Sequence, residues 1–242
     1  MKRVFLAGAT GVIGQRLVPL LQGAGYIVTG TTRSPEKARY LRAQGVEAVV
    51  VDMFDAEAVV QAVIAARPDV LIHQLTDLPK TFDAKAMEAA RVRNARLRTE
   101  TAPTLMRAAA AAGVRRVIVQ SICFAYAPGE LPHLEFDPLD SPSAQVMETA
   151  ALTTKGVEGV ILRYGRLWGP GTWSSGPAES PTIHVDAAAH AALLAITRGE
   201  PGIYNIAEDD GTVATTKART ELGFDPVRPT VVAGSSAERS SK

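Results

Sequence analysis

A doubly wound α/β fold, with a mostly parallel sheet covered by helices on both faces, is predicted by three features of the 242-residue sequence. Short, almost wholly apolar runs alternate with helical stretches along most of the chain, which is how strands buried on both faces read. The segments between these runs are long enough for helical crossovers, whose right-handedness fixes the winding. Finally, the first apolar run passes directly through a glycine-spaced turn into a helix.

The elements follow in order. Val4 to Ala7 form the first strand, followed by "GATGVIG" and a helix to about Ala24 with Leu17, Leu20 and Leu21 inward. Tyr26 to Thr31 form the second strand. Ser34 then caps a helix with Pro35 at its first position and Gly45 as its stop. Val46 to Val51 are the third strand, Asp55 opens a helix through about Ala66, and Asp69 to His73 are the fourth strand. The Ala/Arg/Glu-rich stretch from Asp83 to Ala112 reads as one long helix bent at Pro103, or as two consecutive helices. "GVRRVIVQS" and "GVEGVILRYG" supply strands five and six, with a helix starting near Ser143 between them.

After Gly169 the pattern changes. A loop, "GPGTWSSGPAESP", leads to a short strand "TIHVD", a helix from Ala187 to Ile196, a strand "GIYNIAE" and a last helix from Val213 to Leu222. The reading is a main unit of residues 1–168 and a small C-terminal lobe of residues 169–242, packed over the strand ends and too short to be independent. The final "GSSAERSSK" is polar and expected to fray.

Composition excludes several classes. The formal charge is +1, from 26 Lys+Arg and 25 Asp+Glu, so nothing favours broad binding to nucleic acid or an anionic membrane. No apolar run nears the roughly 20 residues needed to cross a bilayer. "MKRVFLAGATG" resembles an export signal for six residues, then turns into glycines and a helix; it reads as a buried strand. The one cysteine, Cys123, excludes an intrachain disulfide and fits a reducing compartment, so a cytoplasmic location is expected. With no base near it in sequence, Cys123 is not expected to be a nucleophile.

The strongest functional signal is "VFLAGATGVIGQRL". Gly8 allows a tight turn, Gly11 allows close approach of a pyrophosphate, and Gly14 lets the helix pack on the strand. The helix start, with Thr10, Gly11, Val12, Ile13 and Gly14, offers N–H groups to phosphate oxygens. At the end of strand two, where an acid would accept from the ribose hydroxyls of NAD(H), the chain has Thr31, Thr32, Arg33 and Ser34. Arg33 can pair with a 2′-phosphate, and the helix start at Ser34 faces the same anion. NADP(H) is therefore favoured, with NAD(H) as the other option. Asp52, after strand three, is placed to meet the adenine or to cap a loop.

The Rossmann-type pattern resembles the short-chain dehydrogenase/reductase superfamily, in its extended and atypical branches grouped as the NAD-dependent epimerase/dehydratase family. "GATGVIG" matches the family's glycine motif; "LRYGRLWGPG", "HVDAAAHA", "GIYNIAEDD" and "ARTELGFDP" resemble its later segments, so the likeness spans nearly the whole chain. The resemblance implies a Tyr and a Lys four residues on as the proton-transfer pair, with a Ser or Thr ending strand five beside them. A phenol with pKa near 10 needs a nearby cation to transfer protons at neutral pH. This sequence lacks the pair. With Glu148 as the family's acidic helix residue, the Tyr position falls on Asp140 and the Lys position on Ala144.

The remaining candidates are hydroxyls and pocket residues. Ser121 matches the strand-five hydroxyl, although alignment through Tyr126 puts Ile122 there instead. Ser121 and Tyr126 are the catalytic candidates, while His73 and Tyr164 are placed near the nicotinamide end of the cofactor. His184 and Asp186, two apart on the expected strand, would share a face, but without further ligands they make no metal site. The short C-terminal region fits reduction of a small carbonyl or enone better than nucleotide-sugar epimerisation. A non-catalytic NADP(H)-binding regulator or redox sensor is the alternative that the missing pair supports. A homodimer through the Asp83–Ala112 and Ser143–Thr154 helices is implied by the resemblance alone.

Overall fold

A computed structural model describes residues 1–79 and 81–227; the "GSSAERSSK" tail lies outside the described residues. The core is a seven-stranded parallel sheet. Its strands are β1 (Arg3–Ala7), β2 (Ile27–Thr32), β3 (Glu47–Val50), β4 (Val70–His73), β5 (Arg116–Ile122), β6 (Glu158–Tyr164) and β9 (Gly202–Ile206). They lie in the order β3-β2-β1-β4-β5-β6-β9. The chain winds outward one way from β1 to β3, then returns to β4 on the other side of β1. This reversal opens a crevice at the carboxyl ends of β1 and β4, the usual ligand position in such sheets.

Helices cover both faces. On one face α1 (Val12–Gly23), α2 (Pro35–Ala43) and α7 (Val185–Leu194) bury Leu17, Leu21, Leu41 and the alanines of α7 against Leu6, Ile72 and Leu162. On the other, α3 (Ala56–Ala66), α5 (Ala102–Ala111) and α6 (Pro142–Thr153) bury Val63, Leu105 and Met147 against Phe5, Leu71 and Val119. Strand residues therefore alternate between two cores. At about 25 cal/mol per Å² of apolar surface removed from water, each such side chain contributes roughly 2 kcal/mol.

Three expectations need correction. The long helix is α4 (Ala84–Arg96), a π-helical turn at Leu97–Thr101, and then α5, so the irregularity precedes Pro103. Pro103 lies in the first turn of α5 and has no N–H for the carbonyl four residues back, which widens the preceding turn. The strand expected in "TIHVD" is only β8 (Thr182–His184); it pairs in parallel with β7 (Arg166–Trp168) as a separate two-stranded sheet. Asp186 is consequently in α7, where the His184 ring caps the helix by accepting from the Asp186 N–H at 3.2 Å. The last helix is also shorter, with a π-helical Ala218–Leu222, because Val213 bridges His133 and the Ala214 N–H bonds the His133 carbonyl at 2.9 Å.

Candidate functional site

The glycine turn sits in the crevice. Gly8 has φ +93°, and a Cβ on it would lie 2.5 Å from the Gln74 carbonyl oxygen on the neighbouring strand end. A Cβ on Gly14 would run into the Gly8 carbonyl, so helix and turn touch backbone to backbone. Gly11 caps α1 with no side chain. The Val12, Ile13 and Gly14 N–H groups precede the first intrahelical bond, from Gln15 to the Gly11 carbonyl at 2.9 Å. Those N–H groups and the positive end of α1 make an anion cradle walled by backbone.

Beside it, the Thr31 hydroxyl accepts from the Gly8 N–H at 3.4 Å. Arg33, 62% exposed, leaves β2 with its guanidinium 3.7 Å from the Asp77 carboxylate. Ser34 caps α2 by accepting from the Lys37 N–H at 3.2 Å, and Asp52 accepts from Phe54 N–H at 3.1 Å. Arg33, Ser34 and Asp52 thus stand after the carboxyl ends of β2 and β3.

At the end of β4 lie buried polar groups without partners. Neither ring nitrogen of His73 has a hydrogen-bond partner, and neither does the Gln74 side-chain oxygen. Burial holds the His73 pKa down at about 4, so its imidazole is neutral at physiological pH. The Gln74 amide donates to the Tyr164 hydroxyl at 3.3 Å, and burial pushes the Tyr164 pKa up. Unsatisfied buried polar atoms beside a glycine cradle fit a dinucleotide with further hydrogen-bonding groups.

Across β5 and β6 the candidate hydroxyls join one network. Ser121, 1% exposed, donates to Glu148 of α6 at 2.5 Å. Arg163 of β6, opposite Ser121 in the strand register, grips both Glu148 oxygens at 2.9 and 2.7 Å. Its remaining nitrogen donates to the Tyr126 oxygen at 2.8 Å and to the Glu135 carbonyl at 3.1 Å. The Tyr126 proton goes to the Asn205 side-chain oxygen at 2.7 Å. Burial pushes the Tyr126 pKa up to about 12, against the opposing pull of Arg163. Asp140 is exposed and Ala144 fully buried, so the positions matching the family pair carry a surface acid and a core methyl.

The other residues have structural partners. Asp186 accepts from Arg16 of α1 at 2.7 Å, and Arg16 also bonds the Pro170 carbonyl, tying the loop after β7 to the cofactor helix. Trp173 in that loop donates to the Pro79 carbonyl at 2.9 Å, linking it to the segment after β4. Burial raises the Cys123 thiol pKa, which suppresses the thiolate. Among the described residues no His/Cys/Asp/Glu group could hold a metal ion.

Sequence reading singled out the hydroxyls but not the ion pair that holds them. Its signal was present as a lone arginine in the apolar "VILRY" and a lone acid in "VMETAAL". Each breaks a core pattern, and a buried charge requires a partner.

A backbone phosphate cradle at the reversal point of a parallel sheet, with polar atoms waiting beside it, defines a dinucleotide-binding protein. The family model described as NAD(P)H-binding matches residues 8–179. A 3-diazoavenalumate denitrifying reductase from a Streptomyces species is 38% identical over 260 aligned positions, covering 93% of this chain and 83% of the relative. UDP-glucose 4-epimerase of Thermotoga maritima, solved with UDP-glucose, superposes with a TM-score of 0.75 at 17% identity, covering 93% of this chain and 94% of that one. A short-chain dehydrogenase/reductase superfamily protein from Agrobacterium tumefaciens, with bound NAD, also gives 0.75, at 18% identity over 94% and 93% of the two chains. The chain belongs to the NAD(P)H-binding family, and its fold is the one these solved structures share. No helix among the described residues is long and apolar enough to cross a membrane.

Proposed function

We propose that this protein is an NADP(H)-dependent reductase of a small molecule whose reducible centre is a cation, with an aryl diazonium as the preferred acceptor class. One observation carries the reading: both candidate catalytic hydroxyls, Ser121 and Tyr126, are already committed. Ser121 donates to Glu148, and Tyr126 donates to Asn205 while its pKa stands at about 12. Neutral His73, with a pKa of about 4, holds no surplus proton at neutral pH. Reduction of a carbonyl requires a proton at oxygen as hydride arrives at carbon. The side chains present are poor sources of it.

The cofactor supplies hydride when bound. A diazonium carbon accepts that hydride as its C–N bond breaks, and dinitrogen leaves with the bonding electrons. Charge and atoms balance without a proton: R–N₂⁺ and NADPH give R–H, N₂ and NADP⁺. The Streptomyces relative is named for denitrifying reduction of a diazo substrate, which supports the assignment.

The residues of this chain bind and orient. The turn from Gly8 to Gly14 holds the pyrophosphate through backbone N–H groups, and Thr10 lies in the same turn. Arg33 and the helix start at Ser34 receive a 2′-phosphate, which favours NADP(H) over NAD(H), while Asp52 borders the adenine. His73 and Tyr164 flank the nicotinamide end. Ser121 and Tyr126 act as positioning residues that keep Glu148 and Arg163 in register and hold the 125–140 loop on the sheet.

Titration with NADPH and NADH, followed by turnover with an aryl diazonium and a panel of small carbonyls, tests the reading. NADPH oxidation with stoichiometric gas release is expected from the diazonium. Turnover confined to carbonyls and lost in Tyr126→Phe would restore a proton-donor role to that phenol.

A further inference from the structure

We propose that Arg98 receives a carboxylate of the substrate, making the protein selective for aromatic acids that carry the reducible group. This rests on the reading of the crevice as a site of small-molecule reduction.

Arg98 occupies the π-helical turn between α4 and α5, flanked by the buried side chains of Leu97 and Thr101. That turn packs against α6, the helix carrying Glu148. The extra residue of a π turn re-aims the side chains around it, and such turns recur at functional sites. Arg98 is half-buried, whereas its neighbours on α4 look outward and are paired: Arg93 with Asp77 at 3.2 Å and Arg96 with Glu100 at 2.8 Å. Among the described residues the Arg98 guanidinium has no ion pair and no hydrogen bond.

Its surroundings leave its charge unanswered. The acid that attracts it is Glu148, but Ser121 and Arg163 already take one Glu148 oxygen, and Arg163 takes the other. The second group within its field is His73, which is uncharged, fully enclosed and unpartnered at both ring nitrogens. Arg163, Glu148, Arg98 and neutral His73 together carry one net positive charge. A half-buried guanidinium without an anion has its donors free, and its planar fork matches a carboxylate in two parallel hydrogen bonds. The pyrophosphate has its own cradle at Gly8–Gly14. The anion left for Arg98 is on the substrate.

The test compares wild type, Arg98→Gln and Arg98→Lys, each loaded with NADPH, binding cinnamate and methyl cinnamate as non-reducible probes, by calorimetry. Wild type should bind the acid at least about tenfold more tightly than the ester. Arg98→Gln should erase that preference and Arg98→Lys restore part of it, with NADPH affinity changed by less than about twofold in both. No acid preference in wild type, or an undiminished one in Arg98→Gln, overturns the proposal. So does an Arg98→Gln variant that loses NADPH affinity while keeping the preference, which would give the guanidinium to a cofactor phosphate. Because the probes report binding alone, a lost preference in Arg98→Gln stands even if diazonium turnover fails.

Discussion

Arg163 and Glu148 meet as a two-point ion pair, each 4% exposed, at the carboxyl end of the sheet. Breaking it from one side strands a buried charge. Glu148→Ala should lose about 3–5 kcal/mol of stability, read as a shift in the urea midpoint. The double variant Glu148→Leu with Arg163→Met should recover most of that loss, because desolvation offsets much of what the pair contributes.

Gly11 and Gly14 should separate binding from folding. Gly14→Ala drives a methyl into the Gly8 carbonyl and should destabilise the protein by several kcal/mol. Gly11 has ordinary extended angles, and its Cβ would sit 3.3 Å from the same oxygen. Gly11→Ala should therefore fold with a loss of about 1 kcal/mol yet bind NADPH at least tenfold more weakly. Chemical denaturation and cofactor titration on the same samples check both.

These contrasts mark how far the sequence could be read. The order of strands and helices follows from hydrophobic period and turn chemistry, which are local, so the seven strands of the main sheet, the glycine turn and the Ser34 and Asp55 caps were legible. The π turn at Leu97–Thr101 was not, because it arises from Pro103 acting on the turn before it in a packed helix. Nor was the pairing of β7 with β8, which lies across a 13-residue separation that no short pattern reports. Ser121, Tyr126 and His73 could be named from strand ends. Their commitments to Glu148, Asn205 and to no partner at all are tertiary facts.

Arg33 is exposed and bonded to Asp77 only across 3.7 Å, so it is available to a 2′-phosphate. Arg33→Ala should weaken NADPH binding by about 10–100-fold, the worth of a charge-assisted contact, and leave NADH binding unchanged. Fluorescence titration with both cofactors gives the answer, and equal losses for both would contradict the assignment.

His73 ties stability to pH. Its folded pKa of about 4 lies below the unfolded value near 6.5. Between those values the unfolded chain takes up a proton that the folded protein refuses, so stability falls as pH falls, by up to about 3 kcal/mol at pH 4. His73→Asn should lose this component. Urea midpoints at pH 7 and pH 4.5 should converge more in the variant than in wild type.

The central claim is reduction by hydride alone, without a proton donor from the chain. Its most direct measurement follows isotope into product, using NADPH dideuterated at C4 and an aryl diazonium carboxylate. Deuterium should appear at the carbon that lost nitrogen, with one N₂ per NADPH consumed. Unlabelled NADPH in D₂O should leave that carbon undeuterated, and Tyr126→Phe should keep kcat within about threefold of wild type. Deuterium drawn from solvent, or a rate that collapses with the phenol, would contradict the account.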